Sequence, residues 1–157
     1  MMPDRKNDET VPAGTSAGLP EKVVIEELCN KAAAMRERAY VPYSHFRVGA
    51  ALLAESGRIY TGCNIENAAF TPGICAERTA FAKAVSEGEK HFLAIAIAGG
   101  PEQGPAQYCP PCGVCRQVIS EFCDSDFPIF LTKGGTDYKA YTLEELLPFR
   151  FGPDNMR

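Results

Sequence analysis

A chain of 157 residues, 45% of them hydrophobic, is long enough to bury a sizeable core and reads as one globular domain. Its 16 basic residues are outnumbered by 20 acidic ones, and no basic run exceeds the short Arg36-Glu37-Arg38 stretch, so the stripe that a nucleic acid needs to release its counterions is missing. No apolar run approaches membrane-spanning length and no signal-type apolar segment opens the chain, so a soluble, cytoplasmic protein acting on a small molecule is the expectation, with no nucleic-acid or membrane partner.

Residues 1–19 mix Asp, Lys, Glu, Pro, Gly, Ser and Thr with almost no large apolar side chains, and are expected to form a disordered extension ahead of a single domain over 20–157. Pro20 suits the first turn of a helix running from about Glu21 to Tyr40, whose inner face would carry Val24, Leu28, Ala32, Met35 and Ala39 before Pro42 ends it. The small apolar run Phe46 to Ala54 reads as a strand. Glu55-Ser56-Gly57 then turns the chain into a second strand around Arg58 to Cys63, an antiparallel hairpin. Thr71-Pro72-Gly73 breaks the chain before Cys75. From Cys75 to about Ser86 the residues Ala76, Ala80, Phe81, Ala84 and Val85 recur at helical spacing, and Gly88 closes the helix. Phe92 to Ala98 predicts a buried strand, followed by a Gly/Pro-rich loop through Pro111. Cys112 to Phe122 predicts a helix with Val114, Val118, Ile119 and Phe122 inward. Pro128 to Leu131 predicts a short strand, and Tyr141 a last one, before Thr142 caps a helical turn. Strands alternating with helices argue for an α/β layered fold with a mixed sheet.

Seven cysteines are an odd number for a disulfide framework, and without a signal segment metal binding or catalysis is the better default. Cys75-Ala76-Glu77 and Pro111-Cys112-Gly113-Val114-Cys115 both follow Pro/Gly breaks and open helices. Cys112 and Cys115 are three apart and share one helical face. Thiolates are stabilised at helix N-termini, where unpaired N–H groups and the macrodipole present positive charge. Three thiolates fall one short of a closed zinc site and suit a catalytic one, with a water in the fourth position and a nearby glutamate to move its protons. They would also leave the centre a net charge of about -1, which two helix starts and Arg78 can draw off. Glu77 lies two residues past Cys75, so it points away from the ligand direction and can carry a proton to a leaving group, as hydrolytic deamination at an amidine-like carbon requires.

Cys109-Pro110-Pro111-Cys112 is a second, overlapping C-x-x-C. It leaves two alternatives open: a redox dithiol of Cys109 and Cys112, or a structural zinc site closed by Cys75, Cys109, Cys112 and Cys115. The redox reading lacks a strand leading directly into the motif. The structural one leaves Glu77 without a job and needs two prolines to wrap around one ion. Cys109 is therefore expected to be a non-ligand, as are His45 and His91, while Cys29, Cys63 and Cys123 read as packing cysteines.

Five segments in order carry a resemblance: Val41 to Leu52, Gly62 to Ala68, Gly73 to Arg78, Pro111 to Arg116, and Glu145 to Pro148 with Phe151-Gly152-Pro153. From about Pro20 to Pro153 the chain resembles the zinc-dependent cytidine deaminases of the small homotetrameric kind, a motif class with a three-cysteine form and a non-ligand glutamate. The resemblance implies a three-layer α/β/α fold around a mixed sheet of about five strands. It implies one zinc per chain on Cys75, Cys112 and Cys115, Glu77 as proton shuttle, and the Ala76 backbone with the Glu77 carboxylate at the pyrimidine edge. Asn64 and Glu66 would hold ribose hydroxyls and Phe46 would pack against the nucleoside. Phe70 and Phe151 would reach a neighbouring subunit's pocket in a homotetramer with shared sites; Phe70 stands where a tyrosine can occur, without the hydroxyl. The implied activity is deamination of cytidine and 2'-deoxycytidine in pyrimidine salvage. The alternatives are a deaminase of a cytosine-nucleoside antibiotic of the blasticidin-S kind, a nucleic-acid base deaminase, which the acidic balance disfavours, and a structural-zinc or redox protein using Cys109.

Overall fold

The computed structural model describes residues 19–156, so nearly all of the expected N-terminal extension lies outside the described residues. Helix α1 (Lys22–Met35) is followed by a 3-10 turn (Arg36–Arg38), the hairpin β1 (Phe46–Ala54) and β2 (Ile59–Cys63), and helix α2 (Ala76–Ser86). Then come β3 (Phe92–Pro101), β4 (Gln107–Tyr108), α3 (Gly113–Phe122), β5 (Pro128–Gly134), β6 (Asp137–Thr142), the short helix α4 (Leu143–Leu146) and a 3-10 turn (Pro153–Met156). The strands form one sheet in the order β2-β1-β3-β5-β6, with β4 also pairing to β3. Only the β3–β5 pair is parallel, so the sheet is mixed, as expected.

Side chains alternate across a strand, and β3 shows what each face receives. Ala94, Ala96 and Ala98 point to one side, where Ile25, Leu28, Cys29 and Ala32 of α1 close over them. Ile95 and Ile97 point to the other, against Ala80, Phe81 and Ala84 of α2, Ile119 of α3, and Leu143 and Leu146 of α4. Small residues under α1 and larger ones under the other helices give the three-layer α/β/α arrangement.

The sheet has six strands among the described residues, against about five expected. The extra one is β4, inside the stretch that reads as loop: two residues pairing Ala98↔Tyr108 and Gly99↔Gln107 are too short to show a period. Helix α1 stops at Met35 rather than reaching Tyr40, because Tyr40 is captured by β-type pairing instead. Its N–H donates to the Asn64 carbonyl at 3.0 Å, and its own carbonyl accepts from Glu66 N–H at 2.9 Å. Glu21 is the N-cap, so Pro20 lies just outside the helix. The buried face of α1 is Ile25, Leu28, Cys29 and Ala32, displaced by one residue from the expected stripe at its start. Cys75 and Cys112 are N-caps rather than first helical residues, and Val114 is exposed rather than inward.

Two glycines set how close the helices come to the sheet. A Cβ on Gly49 would lie 2.1 Å from the Ala32 carbonyl oxygen of α1, and one on Gly62 would lie 2.3 Å from the Ala76 carbonyl oxygen at the start of α2. Thr79 Oγ1 bonds the carbonyls of Cys63 and Cys75, both at 3.1 Å, tying the first turn of α2 to β2. Gly62→Ala should therefore lower the stability to urea by about 1–3 kcal/mol, the usual cost of overpacking. An unchanged unfolding midpoint would contradict this account of the α2 contact.

Candidate metal centre and active site

Both cysteine motifs place a sulfur at a helix start. Cys75 caps α2 and Cys112 caps α3 with extended backbones (ψ 158° and 168°), and the Cys112 side chain turns back to an unpaired N–H of the first turn. Cys112 Sγ accepts from the Cys115 N–H at 3.5 Å. Cys75 Sγ lies 3.8 Å from Cys112 Sγ, and the sulfurs of Cys75, Cys112 and Cys115 all lie within 4.8 Å of one another. Thiolates bonded to one tetrahedral zinc at about 2.3 Å stand about 3.8 Å apart. The donor set fits such an ion.

Electrostatics point the same way. Hydrogen bonding from Cys115, Arg78 and Cys112 pulls the Cys75 thiol down to about 5, against the opposing effect of burial. The Cys115 thiol is pushed far up by its bond to Cys75, by burial, and by the negative charges of Glu77, Cys75 and Cys112. Three sulfurs this close cannot all ionise unless a cation offsets their repulsion. Arg78 supplies part of the offset: its guanidinium lies 3.9 Å from Cys75 Sγ and is held by the Gly73 carbonyl at 3.2 Å. Its Nε is buried without a hydrogen-bond partner among the described residues.

Glu77 is only 4% exposed, in the first turn of α2 behind buried Ala76. Burial raises its carboxyl to about 7, and the charge of Cys75 adds to this against its own backbone N–H, Cys115 and Arg78. Cys109 is not in the group of three. It is a free thiol that lies over the Cα of Gly99, where an added Cβ would meet its Sγ at 2.6 Å, and burial pushes it up to about 11. The structure thus does not assemble the closed four-cysteine alternative.

The residues expected at a nucleoside line the same end of the sheet. Phe46, 37% exposed, starts β1 and packs beside Cys109 above Gly99. Asn64 Oδ1 accepts from Val48 N–H at 2.8 Å, and its Nδ2 donates to the Phe46 carbonyl at 2.9 Å. Glu66 Oε2 accepts from the N–H groups of Tyr43 at 2.9 Å and Ser44 at 3.2 Å, and hydrogen bonds from Ser44 and Tyr43 hold its carboxyl below the usual range. Both polar side chains thus brace the loop before β1, a task that residue types alone do not disclose. Phe70 (78% exposed, φ 56°) meets Tyr43 edge-on with ring centroids 6.3 Å apart, and Phe151 is 61% exposed. The Phe70 carbonyl accepts from Gly73 N–H at 2.9 Å and the Phe151 carbonyl from Gln117 Nε2 at 2.9 Å. A cleft of about 460 Å³ between Glu55, Ser56, Gly88, Glu89, Lys90 and His91 lies past the far end of β1 and shares no residue with this site.

Two arginines carry structural duties that the sequence reading did not assign. Arg116 Nε donates to the Pro111 carbonyl at 2.7 Å and its Nη1 to that of Leu146, pinning the loop before α3. Arg36 is buried and donates to the carbonyls of Arg47, Pro101 and Gly104. An arginine within an otherwise apolar-periodic helix end was the available signal for Arg36; its carbonyl partners are far away in sequence.

Residues 22–131 match the family described as the cytidine and deoxycytidylate deaminase zinc-binding region. A cytidine deaminase of Sporosarcina psychrophila is 51% identical over 132 residues, 84% of this chain and 94% of that protein. The crystal structure of cytidine deaminase from Burkholderia pseudomallei superposes with a TM-score of 0.70 at 42% identity, covering 80% of this chain and 97% of that one. A blasticidin-S deaminase of Bacillus cereus is 32% identical over 108 residues, 66% of this chain and 76% of that protein.

Metal analysis of purified variants tests the grouping of sulfurs. Cys112→Ala and Cys115→Ala should each lose zinc, whereas Cys109→Ser should retain it at the wild-type ratio. Loss of zinc from Cys109→Ser would place a fourth sulfur on the ion.

Proposed function

The chain belongs to the cytidine and deoxycytidylate deaminase family, and on that premise we propose that it is a zinc-dependent hydrolase converting cytidine and 2'-deoxycytidine to uridine and 2'-deoxyuridine with release of ammonia. The observation that carries this reading is a buried glutamate two residues past Cys75 at the start of α2, beside a three-cysteine group that leaves a tetrahedral ion one ligand short. Cys75, Cys112 and Cys115 would hold one zinc per chain, and the ion would supply Lewis acidity that makes water a usable nucleophile near neutral pH.

The protein's own groups do the proton work. Glu77 accepts a proton from the attacking water and delivers it to the pyrimidine N3 as the oxygen adds to C4. It then takes the remaining proton from the hydroxyl now on C4 and passes it to the amine as the C4–N bond breaks and C4=O forms, so that one water is consumed and one ammonia leaves. Burial keeps bulk water from exchanging with that carboxyl during the transfer. Arg78, against Cys75 Sγ, draws negative charge off the sulfurs. The Ala76 backbone and Glu77 meet the pyrimidine edge, Asn64 and Glu66 hold the ribose hydroxyls with the bonding capacity their backbone contacts leave over, and Phe46 forms the wall against the base.

Exposed Phe70 and Phe151 are the residues that a neighbouring chain's site would receive. This supports a homotetramer with shared sites; cytoplasmic pyrimidine salvage, and a catalytic domain over 20–157 preceded by an extension, complete the proposed reading. Among the described residues no helix is long and apolar enough to cross a membrane. The antibiotic-nucleoside alternative is the weaker one, at 32% identity over a shorter match against 51%.

Absorbance-monitored deamination of cytidine, deoxycytidine and free cytosine tests the activity, with turnover of both nucleosides as the expected result. Glu77→Gln should keep its zinc and lose about 10²- to 10⁴-fold in kcat; normal turnover by that variant would rule out the shuttle. Light scattering should give four chains per particle, and Phe70→Ala or Phe151→Ala should raise KM for a site completed by a neighbour.

A further inference from the structure

Phe46 projects from β1 between two residues that share one carboxylate. His45 Nδ1 lies 3.0 Å from Glu102 Oε2, and an Arg47 guanidinium N–H donates to Glu102 Oε1 at 2.8 Å. The Glu102 backbone N–H also donates to the His45 carbonyl at 2.7 Å. Glu102 follows Pro101, the β3 residue paired with Phe46, so its side chain reaches back across the strand pair to grip both neighbours of that aromatic. The grip has something to hold: His45 sits at φ 53°, a left-handed conformation that a non-glycine residue keeps only when its surroundings enforce it.

The segment bearing Glu102 is itself anchored from within. Arg36, 6% exposed, donates to the Pro101 and Gly104 carbonyls at 3.2 Å each and to the Arg47 carbonyl at 3.4 Å. A Cβ on Gly100 would meet the Pro105 carbonyl oxygen at 2.5 Å and the Arg36 guanidinium at 2.9 Å, so the chain is packed tightly there. One cation therefore holds β1 and the 101–104 segment together from inside, while one carboxylate joins them outside. Phe46 lies between, its N–H bonded to Ser44 Oγ at 3.1 Å and its carbonyl to Asn64 Nδ2 at 2.9 Å.

We propose that Glu102 is a positioning residue for nucleoside binding: by gripping His45 and Arg47 together it fixes the backbone from which Phe46 projects, and releasing that grip raises KM without slowing the chemical step. This rests on the reading of Phe46 as the nucleoside wall. An isolated exposed ion pair contributes little, but here the pairs converge on a partly buried carboxylate, and its bonds to Arg47 and His45 hold its carboxyl below the usual range. Arg47 is braced on its other side by Glu37 Oε2 at 2.9 Å, so the guanidinium is a fixed point rather than a swinging one.

The test is steady-state kinetics on cytidine with the zinc-loaded wild type, Glu102→Ala, Glu102→Gln, Phe46→Ala, and the Glu102→Ala/Phe46→Ala double variant. Glu102→Ala should raise KM roughly threefold to tenfold with kcat within about twofold of wild type. Glu102→Gln, which keeps hydrogen-bonding oxygen without the charge, should recover part of that loss. Phe46→Ala should raise KM by itself, and Glu102→Ala should add nothing in its background, because both act through one side chain. Wild-type KM should rise with sodium chloride as the ion pairs are screened, a measurement that needs no variant to fold. Wild-type KM in Glu102→Ala beside a raised KM in Phe46→Ala overturns the clamp and leaves the site reading standing. Unchanged KM in Phe46→Ala removes the wall reading and the clamp with it. Additive effects in the double variant, or a KM indifferent to salt, also overturn the clamp.

Discussion

Mutual repulsion among three sulfurs held within 4.8 Å of one another is the constraint that the rest of the molecule has to satisfy. Like charges at that spacing cannot coexist in a half-buried pocket without compensation. The fold supplies it in layers. Cys75 and Cys112 sit at two helix N-termini, an arginine lies against Cys75, and a divalent cation would fill the remaining deficit. Much of the surrounding packing can be understood as a way to bring two helix starts from distant parts of the chain to one spot. Gly62 lets the first turn of α2 rest on β2, and Arg116 fastens the loop that delivers Cys112.

The same crowding separates the roles of the remaining acidic groups. Glu77 is buried beside the sulfurs, where loss of solvent and then the charge of Cys75 raise its carboxyl to about 7, the condition under which a carboxylate can both take and return a proton. Cys109 is raised in the same direction, to about 11. It lies against Gly99 and Phe46, and burial together with nearby negative charge keeps its proton in place. Its sulfur lies outside the group of three within 4.8 Å of one another, so the spare cysteine of the overlapping C-x-x-C serves as packing in the pocket wall.

What the sequence disclosed follows from the range of each interaction. The bounds of β1 were legible to the residue, and the apolar run Phe92 to Ala98 announced a buried strand, which extends to Pro101, because both signals are local. The three-cysteine group was legible too, since the Pro/Gly breaks mark helix starts and the spacing of Cys112 and Cys115 fixes their relation. Features set by distant backbone atoms were not legible. Tyr40 leaves its helix to bond Asn64 and Glu66, β4 is two residues long, and Arg36 reaches a carbonyl 68 residues away. Asn64 and Glu66 read as nucleoside-binding types, while their hold on the loop before β1 depends on backbone atoms 16 to 23 residues away. Phe70 and Phe151 stand exposed on one chain, and their proposed partner is a second copy that a single sequence does not depict.

The central claim is that one zinc sits on Cys75, Cys112 and Cys115 with its fourth position left for chemistry. X-ray absorption at the zinc edge of the purified protein tests this most directly. The account predicts three sulfur neighbours at about 2.3 Å and one lighter oxygen or nitrogen neighbour. Four sulfurs, or a shell without three of them, would contradict it.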